Sequence, residues 1–432
     1  MRYSKLAWGA LALATGLGLG ACGGGTGTAT TSGKSVSVGT ITGFGSVYVN
    51  GCEYETDSAD IYVEGYISSE DSLSVGDVVE VTGPTNCTQG NATSIKFADD
   101  LEGVVDSASI TSGVGTMVVM GQNVTVNNLT TFENDILGNG LTIDDLDTNH
   151  IIEISGLGIG TGDIVATRIE LKALSLADYL ADPEHNYIEI KGVVSAHNGT
   201  DQFNIGNLVV DYGSHPAILD GMSAISNDLY VEVKATSYST NGAAPYSIVA
   251  TEVEREDDGK IGYQGDDNED FEIKGMLTAA YDPGTKLFGI NDQMVLVNDN
   301  TDFQDEDDHP APIMTLISNS ANTGKLYFEV EGRFNANGVL VAKEVELEDD
   351  DITDDSETTG LINAITSTGG NNNGTLTVNG MTFTVTNNTI MEDDSDANQS
   401  KFNFTYLGTG DRVEVYYDAT SLVAIKVERK NP

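Results

Sequence analysis

The sequence predicts an all-β protein, built as a tandem array of about five small five-stranded OB-like barrels joined by acidic linkers. A triplet of the form Val-Glu-Val recurs five times, a Gly-x-Ile segment precedes each copy, and a Val-Ala-x-x-Val-Glu segment follows four of them. Self-similarity at a fixed period indicates the architecture before any single residue is given a role. The central residues of the triplets are Glu80, Glu153, Glu232, Glu329 and Glu414.

Each repeat begins with an opening strand and a hairpin. The opening glycines lie 64, 89, 83 and 85 residues apart, at Gly39, Gly103, Gly192, Gly275 and Gly360. The predicted hairpin turns contain Asn or Gly, residues that readily take the positive φ of a two-residue turn. These turns lie at 49–51, 120–121, 206–207, 291–292 and 379–380. Alternating apolar residues follow, as at 381–385, which is typical of a strand with one buried face.

A long polar connection, as at 133–149 and 304–324, leads to the triplet strand, a second hairpin and the closing strand. Five short strands with little helix suit a closed barrel of the OB type, since closure removes exposed sheet edges. A row of small sandwiches is the alternative. The best helix candidate spans 174–181 and ends before Pro183.

Acidic segments mark the boundaries between repeats. Residues 254–272 and 346–357 are rich in Asp, Glu and Gly, as expected of solvated linkers. The predicted repeats span 36–99, 100–173, 187–255, 271–348 and 357–430.

The amino-terminal segment predicts export. Residues 1–21 carry a basic start and an apolar run of about 14 residues, too short for a bilayer that needs roughly 20. The run ends in Leu-Gly-Ala-Cys, which resembles the lipobox of bacterial lipoproteins. That resemblance implies cleavage before Cys22, its lipidation, and a tether over 22–35; Gly23 favours the outer membrane, on its periplasmic or cell-surface face. An ordinary secretory peptide with an incidental Cys22 is the alternative.

The charge restricts the class of partner. Loss of the signal segment leaves 18 basic against 67 acidic residues, a net charge of about −49. Such a chain is not expected to bind nucleic acid, because phosphate recognition needs Lys and Arg. The excess of acidic residues is typical either of adaptation to a salty or cold habitat or of specific cation binding.

Two cysteines remain after lipidation of Cys22, and both lie in the first repeat. Cys52 and Cys87 are predicted to form a disulfide, since an exported compartment permits one. A metal site is the weaker alternative, because no histidine lies near either cysteine in the sequence.

The first repeat, through its segments 39–51 and 73–81, resembles an uncharacterised bacterial domain family of unknown function. That family occurs as tandem copies in proteobacterial envelope lipoproteins. The likeness weakens along the chain to the opening, triplet and closing segments. It implies an all-β repeat in the cell envelope and carries over no catalytic residues.

The sequence shows no set of residues typical of a catalytic site. The five histidines neither cluster nor recur at a common repeat position, whereas a hydrolase needs a nucleophile, a base and an orienting group that converge. The glycine-rich run at 156–162 imitates a phosphate loop but lacks the following Lys-Ser/Thr pair. The triplet glutamates and the closing ones (Glu170, Glu254, Glu346, Glu428) are interpreted as solvent-facing residues of half-buried strands.

Calcium is the most serious cofactor candidate, because hard oxygen ligands are abundant. Asp394, Asp396 and Asn398 have the alternating start of a calcium loop, but Gln399 and Thr405 stand where such a loop needs Gly and Glu. No cofactor is therefore expected, with a weak calcium site as the alternative.

The sequence thus predicts a non-catalytic, lipid-anchored envelope protein that presents an acidic binding or scaffold surface to an envelope protein or an extracellular polymer. A calcium-dependent adhesin or scaffold and an exported polysaccharide-modifying hydrolase are the alternatives.

Overall fold

The computed structural model describes residues 34–432 except 85–89, 135, 137–139, 159–162, 182–185, 214–217, 221, 241–244, 257–269, 292, 306–311, 336–338, 350–355, 370–371 and 396. Strands dominate the described residues, as the alternating apolar pattern predicts. The predicted signal segment, Cys22 and most of the predicted tether lie outside them, as does much of both predicted linkers.

Eight strands are described in the first repeat. They are β1 Lys34–Phe44, β2 Val47–Val49, β3 Cys52–Glu55, β4 Asp60–Val63, β5 Tyr66–Ser68, β6 Val78–Pro84, β7 Gly90–Asn91 and β8 Ser94–Phe97.

Six strands are described in each of the second and third repeats. They are β9 Leu101–Thr111, β10 Val114–Val119, β11 Gln122–Val126, β12 Thr131–Asn134, β13 Ile151–Gly158, β14 Asp163–Ala173, β15 Ile188–Ser195, β16 Gln202–Ile205, β17 Leu208–Asp211, β18 Ile218–Asp220, β19 Tyr230–Ser239 and β20 Tyr246–Arg255.

The fourth and fifth repeats repeat the same order. Their strands are β21 Asp270–Asp282, β22 Leu287–Ile290, β23 Gln293–Leu296, β24 Asp302–Asp305, β25 Tyr327–Phe334, β26 Leu340–Asp349, β27 Ser356–Ser367, β28 Gly374–Val378, β29 Met381–Val385, β30 Ile390–Asp394, β31 Arg412–Tyr417 and β32 Ala424–Lys430. The fourth strand of each six (β12, β18, β24 and β30) was not predicted. It is three to five residues long, too short to show a clear alternation.

The pairings within a repeat follow one scheme. In the second repeat, β9 runs antiparallel to β10 and β13, and β13 runs antiparallel to the closing strand β14. Both β11 and β12 run parallel to β14. The short fourth strand therefore adds a parallel neighbour to every closing strand.

The predicted hairpin turns are confirmed where they are described. Asn50 and Asn379 have φ of 51° and 52°, and each is followed by a glycine with positive φ. The turn asparagine also explains the opening glycine. Asn50 Nδ2 donates to the carbonyl oxygen of Val38 at 3.1 Å, and a Cβ atom on Gly39 would collide with Asn50. The two repeated features are thus parts of one contact.

The repeats are not separate bodies. Strand β1 pairs in parallel with β21 of the fourth repeat, and β9 pairs antiparallel with β15 of the third. The described strands accordingly form sheets of 14, 12 and six strands. The prediction of separate five-stranded OB-like barrels is wrong. Backbone hydrogen bonds join the first repeat to the fourth and the second to the third, and the strands are organised as a β-solenoid of about nine turns. Residues 33–432 form one compact unit.

The hydrophobic cores cross the same boundaries. The second and third repeats share one core, and Val36 and Val38 of the first repeat pack in the core of the fourth. Ile390 of the fifth repeat packs in the core of the first. The remaining core residues of the fifth repeat, by contrast, all come from that repeat.

This difference predicts which fragments fold. Residues 356–432 expressed alone are expected to give the dispersed amide spectrum of a folded β-protein. Residues 34–99 are expected to stay unfolded, since Val36 and Val38 lose the core that buries them. Two-dimensional amide NMR of both fragments checks this. A folded first repeat would contradict the shared-core interpretation.

Helix is sparse, as the sequence predicts. Helix α1 (Leu176–Tyr179) begins after Ser175, whose side chain accepts a hydrogen bond from the Asp178 N–H, and it confirms the candidate at 174–181 in shortened form. Helix α2 (Ile313–Ile317) lies within the polar connection of the fourth repeat. None of the described helices is long and apolar enough to cross a bilayer.

Candidate functional site: a glutamate row lining an acidic cavity

The repeated glutamate takes part in an ion pair in every repeat. Glu80 is 1% exposed and Glu232 is 6% exposed, so their interpretation as solvent-facing residues is wrong. Glu153, Glu329 and Glu414 are half-buried. The basic partners are Lys96 for Glu80, Arg168 and Lys172 for Glu153, Lys234 for Glu232, Lys274 for Glu329, and Lys430 for Glu414.

The closing glutamates lie directly opposite the triplet glutamates. Glu170 and Glu428 are buried, so the solvent-facing interpretation is wrong for them too, while Glu254 and Glu346 are half-buried. The facing pairs are Glu153 with Glu170, Glu232 with Glu254, Glu329 with Glu346, and Glu414 with Glu428. Like charges directly opposite each other on a sheet are destabilising, so each pair requires compensation.

The longest such arrangement crosses five strands, from β15 of the third repeat to β12 of the second. Its five members form what is called here the glutamate row: Glu189, Glu102, Glu153, Glu170 and Glu133. Each residue faces the next across a strand pair. Strand pairing between two repeats therefore places five carboxylates side by side.

Arg168 is the central counter-ion of the glutamate row. Arg168 is 5% exposed. Its guanidinium lies 2.6 Å from Glu133 and 3.5 Å from Glu153, and it also contacts Glu170. Its Nε lies 3.8 Å from Oδ1 of Asp77, which belongs to the first repeat. One cation thus joins carboxylates from two repeats.

Lys191 compensates the other end of the row. Its ammonium lies 2.8 Å from Glu64, 3.1 Å from Asp99 and 3.4 Å from Glu189. Oxygen atoms of these three carboxylates lie within 4.8 Å of one another, a spacing that suits a metal ion. The lysine itself supplies the positive charge at this point.

The glutamate row lines a cavity of about 330 Å³ where the first three repeats meet. Its walls also include side chains from the first repeat and Ser400 of the fifth. Among the lining residues are Val63, Glu64, Asp71, Asp77, Phe97, Asp99, Arg168, Lys172 and Tyr187.

Burial raises the proton affinity of these carboxyl groups. Burial, and then the facing carboxylate of Glu153, raises the pKa of Glu102 to about 7. Burial raises the pKa of Asp77 to about 7 against the opposing effect of Arg168, and it raises that of Glu64 to about 7, with Asp99 adding to the shift. The cavity can therefore take up protons or a cation near neutral pH.

No described histidine lines the cavity. The two described histidines lie elsewhere: His197 Nε2 is 2.7 Å from the Tyr212 hydroxyl, and His150 Nδ1 accepts the Asp147 N–H at 3.2 Å. His185, His215 and His309 lie outside the described residues.

The predicted calcium ligands are described only in part. Asp394 pairs with Lys430 at 3.1 Å, and Asp396 lies outside the described residues. Asn398 has φ of 41° in a turn that Asp393 organises, because the Asp393 carboxylate accepts the N–H groups of Ser395 and Gln399 and contacts Arg429. The role of Asp393 was not predicted, because its position in the acidic run gives no signal of it.

Further carboxylate groups could hold a metal ion by their spacing alone. They are Asp220, Glu252 and Glu254; Glu232, Glu254 and Glu256; and Glu272, Glu329 and Glu331. In each group the residues lie on adjacent paired strands, except Glu256, which directly follows its strand. Their spacing therefore follows from the same cross-strand register as the glutamate row.

Cys52 is disulfide-bonded and 2% exposed. Its predicted partner Cys87 lies outside the described residues, so the Cys52–Cys87 pairing stays a prediction.

A comparison with known protein families finds matches that lie within single repeats. Residues 102–170, 274–346 and 359–428 each match the family described as Domain of unknown function (DUF5666). The three matched segments lie in the second, fourth and fifth repeats and together cover just under half of the chain. Each matched segment runs from the opening strand to the closing glutamate and contains the triplet glutamate of its repeat, Glu153, Glu329 or Glu414. No curated protein and no solved structure matches the chain.

Proposed function

We propose that this protein is a non-catalytic, lipid-anchored protein of the outer membrane, whose joined β repeats present an acidic surface to a cationic partner or polymer. One observation carries the proposal: the most buried basic side chains serve as internal counter-ions. Arg168, Lys191, Lys274 and Lys426 all form ion pairs with carboxylates inside the protein. Few basic side chains are left to neutralise the remaining acidic ones.

The charge inventory supports this proposal. The chain has 67 acidic and 20 basic residues, and Arg2 and Lys5 lie in the predicted signal segment. An uncompensated negative surface attracts cationic partners and repels nucleic acid and anionic lipid. The lipid on Cys22 would keep that surface at the membrane without requiring favourable contact with anionic headgroups.

The repeated architecture supports binding rather than catalysis. The triplet glutamates recur in every repeat and pair with basic residues, as expected of residues with a structural role.

The test uses the full chain expressed with its own signal and a carboxyl-terminal tag. The wild type is expected in the outer-membrane fraction and Cys22→Ser in the soluble periplasmic fraction. Purified mature protein should bind immobilised polylysine at low salt and be released by sodium chloride, because exposed charges are screened. Dextran sulfate beads are the matched control. Retention of Cys22→Ser in the membrane, or equal binding to both polymers, would contradict the proposal.

A further inference from the structure

Lys191 and Asp99 form a buried ion pair that joins the third repeat to the end of the first. The Nζ of Lys191 lies 3.1 Å from Oδ1 of Asp99, and the two side chains are 7% and 6% exposed. Asp99 lies just after β8, and Lys191 lies on β15. The segment between them includes the whole second repeat.

The backbone holds these two side chains together. The Lys191 N–H donates to the carbonyl oxygen of Asp100 at 3.0 Å, and Lys191 Nζ donates to that of Asp99 at 2.8 Å. The amine is therefore anchored beside the Asp99 carboxyl group by hydrogen bonds that do not involve that group. Two groups held in contact in this way react as if each were present at very high concentration.

Glu64 lies where a proton carrier for such a reaction is needed. Its Oε2 is 2.8 Å from Lys191 Nζ, and its Oε1 accepts the Asp99 N–H at 2.7 Å. An oxygen of Glu64, one of Asp99 and one of Glu189 lie within 4.8 Å of one another. Burial, and then the charge of Asp99, raises the pKa of Glu64 to about 7. Glu64 can therefore both accept and release a proton near neutral pH.

The electrostatics favour the loss of charge at this point. Burial raises the pKa of Asp99 well above its ordinary value, against the opposing effect of Lys191. Burial also opposes the charge of Lys191, although the surrounding carboxylates together raise its pKa. One ammonium faces three carboxylates here, and an excess of buried charge is costly. An amide between the two groups removes one positive and one negative charge from the interior.

We propose that Lys191 and Asp99 condense spontaneously to an intramolecular isopeptide bond, with Glu64 as the catalytic base and acid. The ammonium of Lys191 gives a proton to Glu64, and the neutral Nζ attacks Cγ of Asp99. The C–N bond forms, the bond from Cγ to one carboxyl oxygen breaks, and Glu64 carries two protons in turn from Nζ to the departing oxygen.

The products are one amide and one water, whose oxygen comes from Asp99 and whose hydrogens come from Lys191. The balance requires no oxidant or other reactant. The bond links the first repeat to the third, and this inference does not depend on the proposed binding function.

Tandem mass spectrometry of a protease digest of the mature chain, reduced and denatured, tests the proposal. The wild type should yield one branched peptide that joins the segments around Asp99 and Lys191 and is lighter than the two linear peptides together by one water. Lys191→Arg keeps the positive charge but has no amine, so it should yield linear peptides only. Lys96→Arg is the matched control, because Lys96 also pairs with a buried carboxylate, that of Glu80, but is itself 47% exposed. This control should keep the branched peptide.

Glu64→Gln leaves both bonding groups in place and removes the proton carrier. It should yield mainly linear peptides, since loss of general acid–base catalysis slows such a step about a hundredfold or more. Linear peptides alone from the wild type overturn the proposal and leave Lys191 as an ion-pair partner. Complete branching in Glu64→Gln overturns the role of Glu64. If Lys191→Arg fails to fold, the branched peptide of the wild type still identifies the bond directly.

Discussion

Replacing Arg168 by Met is expected to lower the free energy of unfolding by about 3 to 5 kcal/mol, because breaking a buried ion pair leaves uncompensated charge in a low-dielectric environment. The guanidinium is surrounded by Asp77, Glu133, Glu153 and Glu170. Methionine fills most of the volume of the side chain and supplies none of its charge. Denaturant unfolding of the mature chain, followed by far-ultraviolet circular dichroism, measures the loss.

Arg333→Met is the matched control. Arg333 forms a comparable ion pair with Asp270 at 2.7 Å, but the two side chains are 56% and 50% exposed. An exposed pair contributes roughly 0 to 1 kcal/mol, so the control should stay close to the wild type. Equal losses in the two variants would show that Arg168 has no special role in joining the repeats.

The repeat, its strands and its hairpin turns could be predicted from the sequence because they depend on local chemistry. The positive φ of Asn50 and Asn379 follows from the preference of Asn-Gly turns, and the alternation at 381–385 follows from one buried face. The joining of the repeats could not be predicted in this way. Pairing of β1 with β21 depends on two segments more than 200 residues apart, and neither carries a signal that names the other.

The burial of the candidate site could not be predicted from the sequence either. Alternation assigns Glu80 or Glu170 to the face opposite the core of its own repeat, and a single repeat would leave that face in water. In the protein, a neighbouring repeat covers it, as Asp77 of the first repeat covers Arg168 of the second. The glutamates were recognisable as repeated residues, but their burial depends on which repeats meet.

Stability is expected to fall as the pH rises from about 5 to about 8. In the folded state the pKa values of Asp77 and Glu102 are about 7, against ordinary values of 3.8 and 4.5. Between those limits the folded protein binds more protons than the unfolded chain, and the free energy of unfolding therefore decreases with pH. The stabilisation from each group is fully present below its unfolded pKa and is lost as the pH rises through its folded pKa.

Each group that is protonated only in the folded state contributes a slope of roughly 1.4 kcal/mol per pH unit, so these two contribute about 3 kcal/mol per unit together. Groups with lowered pKa act in the opposite sense. Hydrogen bonds and ion pairs lower the pKa of Asp393 and Glu428, whose stabilisation is lost as the pH falls through their folded pKa values. The most stable pH should therefore lie on the acidic side of neutrality, with losses on both sides.

Glu102→Gln separates the glutamate row from the general effect of net charge. Glutamine keeps the shape of the side chain and does not titrate, so the slope between about pH 5 and 7 should flatten by roughly 1.4 kcal/mol per pH unit. The variant should also gain stability at pH 8, because the carboxylates of Glu153 and Glu189 no longer face a third charge at that position. Glu357→Gln, at an exposed position, should keep the wild-type slope. Urea unfolding at four pH values between 5 and 8, with all three proteins in parallel, measures these slopes. If the stability of the wild type rises with pH across this range, the buried carboxyl groups are ionised in the folded protein and other cations compensate them.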